Sequence, residues 1–327
     1  LSSDVTNLNV FGWDSTCPIY GGTGSAGSHS DGNVSILQSL QDAGYKTNET
    51  LSNMYTEYCA ERPTISMSAQ DWSLPEPNMK HYTDDIMNEA KDFSDTAMVV
   101  LGRPGGEGAD LPTNMSAVIN GTYNQGLATS NAPANWRYMN ATYTNNGSYD
   151  DFEEGESYLE PSVTEEQLIE KVCSEFDNVI VVINANNTME LGWVDNYEQI
   201  KSVILAPGAG ETGFTALGEI LNGTVNPSGK TADTYVKNLL STHYINNIGN
   251  FPYTNVDDLK AQALAADSSY KGNVSFVNYV EGIYVGYKFY ETAAEEGLID
   301  YESSVQYPFG YGLSYTTFDK TMTNFKD

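Results

Sequence analysis

The 327 residues carry 44 Asp and Glu against 15 Lys and Arg, a formal net charge of −29, with 40% hydrophobic and 18% charged residues. That composition suits a folded chain with one large core or two modest ones. The acidity argues against nucleic acid or anionic lipid as a partner and favours a neutral or cationic ligand. The 23 Tyr and 4 Trp offer flat faces with a polar tip, a surface chemistry that sugars use, although most such rings belong in a core.

Cys17, Cys59 and Cys173, and His29, His81 and His243, are widely spaced. They form no C-x-x-C and no H-E-x-x-H, so no disulfide framework, metal site or cofactor is expected. No run of about 18 apolar residues occurs, so no membrane-spanning segment is expected. The chain opens directly on a strand-like stretch without a signal peptide, as a trimmed piece of a longer protein does.

In chain order, residues 8–13 read as a buried strand, followed by the glycine-rich "YGGTGSAGS" at 20–28. Residues 35–44 have helical spacing and a glycine stop, and 97–101 ("AMVVL") form a second apolar run that ends in "GRPGGEG". Residues 113–158 are rich in Asn, Thr, Gly and Tyr with little periodicity, too long for an ordinary connection. They are either disordered or a functional loop over a site. A helix is expected over 164–176, opened by a capping box from Thr164 to Gln167. Strands follow at 179–184 and 203–206, a helix at 212–221, and a second irregular stretch at 242–278. Strands alternating with helices, apolar throughout, imply an α/β fold with a mostly parallel sheet. Its ligands sit beyond the carboxyl ends of the strands.

Gly22-x-Gly24-x-x-Gly27 has the spacing of a dinucleotide fingerprint, but residues 15–20 separate it from the strand and more loop follows. A glycine loop whose backbone approaches some other ligand or a neighbouring domain fits better. No G-x-S-x-G nucleophile elbow is present. Asp233 and Glu211 read as capping and helix-start acids. Glu107 differs, because a carboxylate in a glycine bend at a strand's carboxyl end is freely presented, and its pKa is set by what closes over it. Locally it is equally well an ordinary turn acid.

The blocks "VFGWDSTCPIYGGTGSAGS", "GGEG", "VIVVINANNTMELGWV", "ILAPGAGETGFTALGEILNGTVNPSGKTADTY", "YVEGIYVGYKFYE" and "YPFGYGLSYTTF" together resemble, in order, the second domain of family 3 glycoside hydrolases. The resemblance implies a six-stranded (α/β)6 sandwich with helices on both faces, flavodoxin-like in layering, over residues 1–315. It implies a (β/α)8 barrel as partner, which carries the nucleophilic aspartate, and a β-linked oligosaccharide or glycoside as substrate. Glu107 is then the general acid/base of a retaining β-glucosidase-like enzyme, with two carboxyl groups about 5–5.5 Å apart. Gly21, Gly22, Thr23, Gly24, Ser25, Arg103 and Asp110 are the candidate sugar contacts.

Two features depart from the family pattern. This chain contains no barrel, and 113–158 exceeds the usual spacing after the acid loop. The order resembles the subgroup in which this domain precedes the barrel, with 316–327 opening a linker or a β-sandwich. Asp110, Asp150, Asp151, Glu153 and Glu154 are alternative acids. A non-catalytic carbohydrate-binding or scaffold domain of the same fold is the competing reading. The many N-x-[ST] sequons point to an extracellular or cell-surface location, with a cytoplasmic one as the alternative.

Overall fold

The computed structural model describes residues 1–28, 32–60, 76–106, 111–122, 151–245, 251–270, 275–276, 279–319 and 321–324. Its centre is a sheet of β1 (Asn7–Phe11), β2 (Lys46–Thr47), β3 (Thr96–Arg103), β4 (Asn178–Ala185) and β5 (Ile200–Leu205). The order is β2-β1-β3-β4-β5 and every neighbouring pair is parallel.

The apolar runs are explained by cover on both faces. From β3, Ala97, Val99 and Leu101 enter one core, with Leu51 and Tyr55 of α2 (Glu49–Cys59), Met87 and Ala90 of α3 (Asp84–Phe93), and Leu168 and Val172 of α5 (Val163–Glu175). Met98 and Val100 enter the other, with Ile36 and Leu40 of α1 (Ile36–Asp42) and Leu217 and Leu221 of α6 (Thr215–Leu221). All of β3 is buried, which marks it as the central strand. Fully burying one such aliphatic side chain contributes roughly 1.5–3 kcal/mol, so the two faces together drive folding.

The expected α/β class and mostly parallel sheet hold, with differences in detail. Five strands, not six, make the main sheet among the described residues; β2 is too short to carry a periodic signal. The capping box begins at Ser162 and closes on Glu165, two residues before the expected one. Ser162 wins because its hydroxyl reaches the Glu165 N–H while the Glu165 carboxylate accepts from the Ser162 N–H. Within 113–158 a short α4 (Met115–Ile119) forms, while 123–150 lie outside the described residues. The stretch 242–278, expected to be irregular, contains α7 (Val256–Ala266). Its Ala- and Leu-rich run with Asp257 and Asp258 in the first turn is a helix signal on composition rather than on periodicity.

Two small antiparallel pairs complete the chain. They are β6 (Tyr235–Val236) with β9 (Val305–Tyr307), and β7 (Phe251–Pro252) with β8 (Ser275–Phe276). The helices α8 (Tyr287–Glu295) and α9 (Tyr301–Ser304) precede β9, and Tyr290 of α8 shares a small core with Val236, Leu239 and Val305.

The order 2-1-3-4-5 determines where a ligand can sit. The connection leaving β1 returns toward β2, whereas that leaving β3 leads to β4, so the two carboxyl ends diverge and leave a crevice.

Near this edge Glu76 is completely buried, accepting from the Trp13 N–H (3.0 Å) and the Tyr82 hydroxyl (3.0 Å). Tyr82 in turn meets Tyr55 at 2.6 Å. Burial, reinforced by the Glu165 charge, pushes the Glu76 carboxyl up to about 8. Such a group holds its proton in the folded chain after the unfolded chain has released it near 4.5. Its stabilising contribution is complete below that lower value and is lost as pH rises to about 8, by about 1.4 kcal/mol per pH unit. Denaturant titrations across pH 4.5–8 should therefore show stability falling with pH, and Glu76→Gln should flatten the slope by one proton's share.

Candidate functional site

An open depression of about 680 Å3 occupies the crevice. Tyr20, Gly21 and Gly22 line it after β1, Gly105 and Gly106 after β3, Asn186 and Asn187 after β4, and Gly208 and Gly210 after β5. Among its described lining there is no charged side chain. The surface offered is backbone amide and carboxamide, which hydrogen-bonds neutral polar groups without a fixed charge.

Two carboxamides, the buried Asn184 and the exposed Asn186, hold the four connections together. Asn184 ends the apolar run of β4, accepts from the Ile19 N–H (2.7 Å) and donates to the carbonyls of Ile19 (3.1 Å) and Ala206 (2.7 Å). One side chain thereby joins the connections after β1 and β5 across β4. Asn186 accepts from the Gly208 N–H at 2.9 Å and reaches the Gly105 carbonyl at 3.5 Å. The Gly210 N–H donates to the Tyr20 carbonyl at 2.6 Å, and the Tyr20 ring meets Phe214 edge-on at 5.7 Å.

The connections after β1 and β3 touch directly. The Thr23 N–H donates to the Gly105 carbonyl at 3.0 Å, and Thr23 forms a parallel bridge with Gly106. Gly106 has φ +152°, and a side chain there would collide with the Thr23 backbone, so only glycine permits the approach.

The residues expected at the site separate into groups. Gly21 and Gly22 line the depression. Thr23 pairs with Gly106, and Gly24 and Ser25 belong to the 3-10 turn Gly24–Ala26; none of these three lines it. That turn leads into loop, and α1 starts only at Ile36, so the strand–turn–helix context of a dinucleotide fingerprint is missing. Glu107, Asp110 and Asp150 lie outside the described residues.

Arg103 corrects the expectation of a sugar contact. It is 1% exposed and all five of its N–H groups are committed within the fold. Nε donates to the Tyr158 carbonyl (2.7 Å) and Nη1 to the carbonyl of Gly102 (2.9 Å) and Glu165 Oε1 (2.7 Å). Nη2 donates to the Glu160 carbonyl (2.7 Å) and Glu165 Oε2 (2.6 Å). No donor is left for a ligand.

Among the alternative acids, Glu153 and Glu154 are exposed and Asp151 is buried, accepting from the Thr164 hydroxyl at 3.3 Å. Burial and the nearby Glu165 charge push Asp151 up to about 8. Its pKa would suit a general acid, but it does not line the depression. Sequence reasoning assigned no role to Asn184, Asn186 or Gly208. The available signal was an Asn ending an otherwise apolar strand, which burial obliges to find hydrogen-bond partners.

Removing one partner of a buried ion pair costs about 3–5 kcal/mol. Lysine offers three donors on a flexible stem where arginine offers five in a plane. Arg103→Lys is therefore expected to lower unfolding stability by about 3 kcal/mol, measured as a shift of the denaturant midpoint.

Residues 1–315 match the model of the glycosyl hydrolase family 3 C-terminal domain. The chain is 30% identical over 267 residues to β-glucosidase A of Butyrivibrio fibrisolvens, covering 81% of this chain and 26% of that protein. It is 27% identical over 302 residues to a β-glucosidase of Ruminococcus albus, covering 91% and 24%. A β-glucosidase from Paenibacillus barengoltzii of known crystal structure superposes with a TM-score of 0.64 at 25% identity, over 95% of this chain and 27% of that one. The chain thus spans about a quarter of the curated relatives it matches. With its parallel sheet and crevice at the carboxyl edge, the chain belongs to glycosyl hydrolase family 3, as that family's C-terminal domain.

Proposed function

We propose that this domain supplies the general acid/base and part of the sugar pocket of a retaining β-glucosidase-like enzyme, with Glu107 as the proton donor. The observation that carries this reading is the glycine-lined depression at the strand edge, whose described lining has no charged side chain and one of whose walls, Gly105–Gly106, precedes Glu107 in the chain. Backbone and carboxamide groups suit the hydroxyls of a neutral sugar, and a single carboxyl delivered beside them suits protonation of the glycosidic oxygen.

The nucleophile is then an aspartate on a (β/α)8 barrel of the same polypeptide, attacking the anomeric carbon while Glu107 gives its proton to the departing oxygen. Glu107 next takes a proton from the water that releases the sugar. Residues 316–327 would lead toward the barrel.

Glu107→Ala in the full-length polypeptide tests this reading. Hydrolysis of an alkyl β-glucoside, whose leaving alkoxide needs a proton, should fall by about 10²–10⁴-fold. The loss in kcat/KM on 2,4-dinitrophenyl β-glucoside should be much smaller, because that phenolate departs unprotonated. Added azide should restore turnover with β-glucosyl azide as product. Retention of near-normal activity on the alkyl glucoside would show that the proton comes from elsewhere.

A further inference from the structure

Adjacent asparagines, Asn186 and Asn187, line the depression after β4, and the fold uses the carboxamide of only the first. Asn186 accepts from the Gly208 N–H at 2.9 Å and reaches the Gly105 carbonyl at 3.5 Å. The Asn187 carboxamide has no hydrogen-bond partner among the described residues. It is exposed and stands against the Gly105 wall, where a Cβ on Gly105 would come within 2.8 Å of Asn187 Oδ1. Gly105 does not have a positive φ, so this close approach, not backbone conformation, is what calls for glycine there.

The backbone beneath Asn187 is held although its head group is free. Ala185 closes β4 in register with Arg103, Asn186 is fixed by the contacts above, and Met189 is completely buried. An exposed amide on a held backbone binds a ligand with little further ordering of the chain, and such ordering is a large part of what association costs.

A carboxamide presents one acceptor and two donors side by side in one plane. Hydroxyls on adjacent carbons of a pyranose ring match that pair, because each can both donate and accept. A single hydroxyl would use half of the group. A charged ligand would find no counter-charge in the described lining.

We propose that Asn187 is a sugar-binding residue whose carboxamide holds two adjacent hydroxyls of a neutral pyranose lying in the depression. The inference rests on the reading of that depression as part of a sugar pocket, and deepens it by naming the group that selects the ligand. It does not depend on which residue supplies the proton.

A site built to hydrogen-bond a hydroxyl rejects the analogue that lacks it. The test is calorimetric titration of the full-length polypeptide with D-glucose and with its monodeoxy analogues. The unsubstituted protein should bind glucose about tenfold more tightly than two analogues that lack neighbouring hydroxyls. Asn187→Ala should bind glucose at least about tenfold more weakly and should no longer distinguish it from those two analogues. Asn187→Leu fills the same space without polar atoms and should behave in the same way, which separates lost hydrogen bonds from lost bulk. Neither substitution should move the denaturant midpoint, because the carboxamide bonds nothing in the described fold.

Unchanged glucose affinity in Asn187→Ala, or an equal loss for glucose and every analogue, would overturn the proposal. So would a loss traced to one hydroxyl or to two that are not neighbours. Failure of both variants to fold would make Asn187 structural, with the same consequence. The two levels separate cleanly. If glucose binds and Asn187→Ala leaves its affinity intact, the sugar-pocket reading stands and this contact falls. If the unsubstituted protein does not bind glucose, that reading fails and the contact with it.

Discussion

The carboxyl end of the central strand depends on the complete satisfaction of the Arg103 guanidinium. A buried cation without partners would cost far more than this fold could offset. Here a bidentate carboxylate and three carbonyls surround it. Four of these five bonds tie the end of β3 to the first turn of α5 and to the backbone at Tyr158 and Glu160. Glu165 serves twice, closing the helix cap on Ser162 and neutralising Arg103. The end of β3 that leads into Gly105 and Gly106 is therefore anchored on every Arg103 donor.

Beyond that anchor the crevice follows from topology. Parallel strands in the order 2-1-3-4-5 separate their exits between β1 and β3, and the four exits meet around one depression. Glycines let backbones approach, as where Thr23 meets Gly106, and Asn184 and Asn186 supply both a donor and an acceptor where two connections must be joined. A charged side chain could do only half of each task and would leave a charge beside the ligand.

The acidity of the chain has an internal counterpart. Glu76 and Asp151 are buried and both are held up to about 8, so they sit neutral in the fold near neutral pH. Their perturbed pKa values mark structural sites here, not chemistry. A strongly shifted carboxyl is a functional candidate only when it also faces a cleft. Asp151 fails that second condition, because it is packed among the elements that hold Arg103.

Much of the architecture was legible in the sequence, for a physical reason. Strands covered on both faces must be apolar throughout, so β1, β3, β4 and β5 announce themselves at 8–13, 97–101, 179–184 and 203–206. Helix caps are local chemistry, so α1 and α5 were found to within two residues. β2, two residues long, has no period to read, and α7 carried propensity without periodicity. The ordered blocks identified the family because backbone approaches demand glycine at fixed places. What the sequence could not decide was the partner of each polar group. Arg103 beside "PGGE" reads as a ligand contact, yet its five donors are taken by residues up to 62 positions away. Tyr158 reads as the tail of an irregular segment, yet it holds Pro104 and Pro112. Hydrogen bonds between distant residues depend on where the folded chain brings them, and that information resides in the tertiary structure.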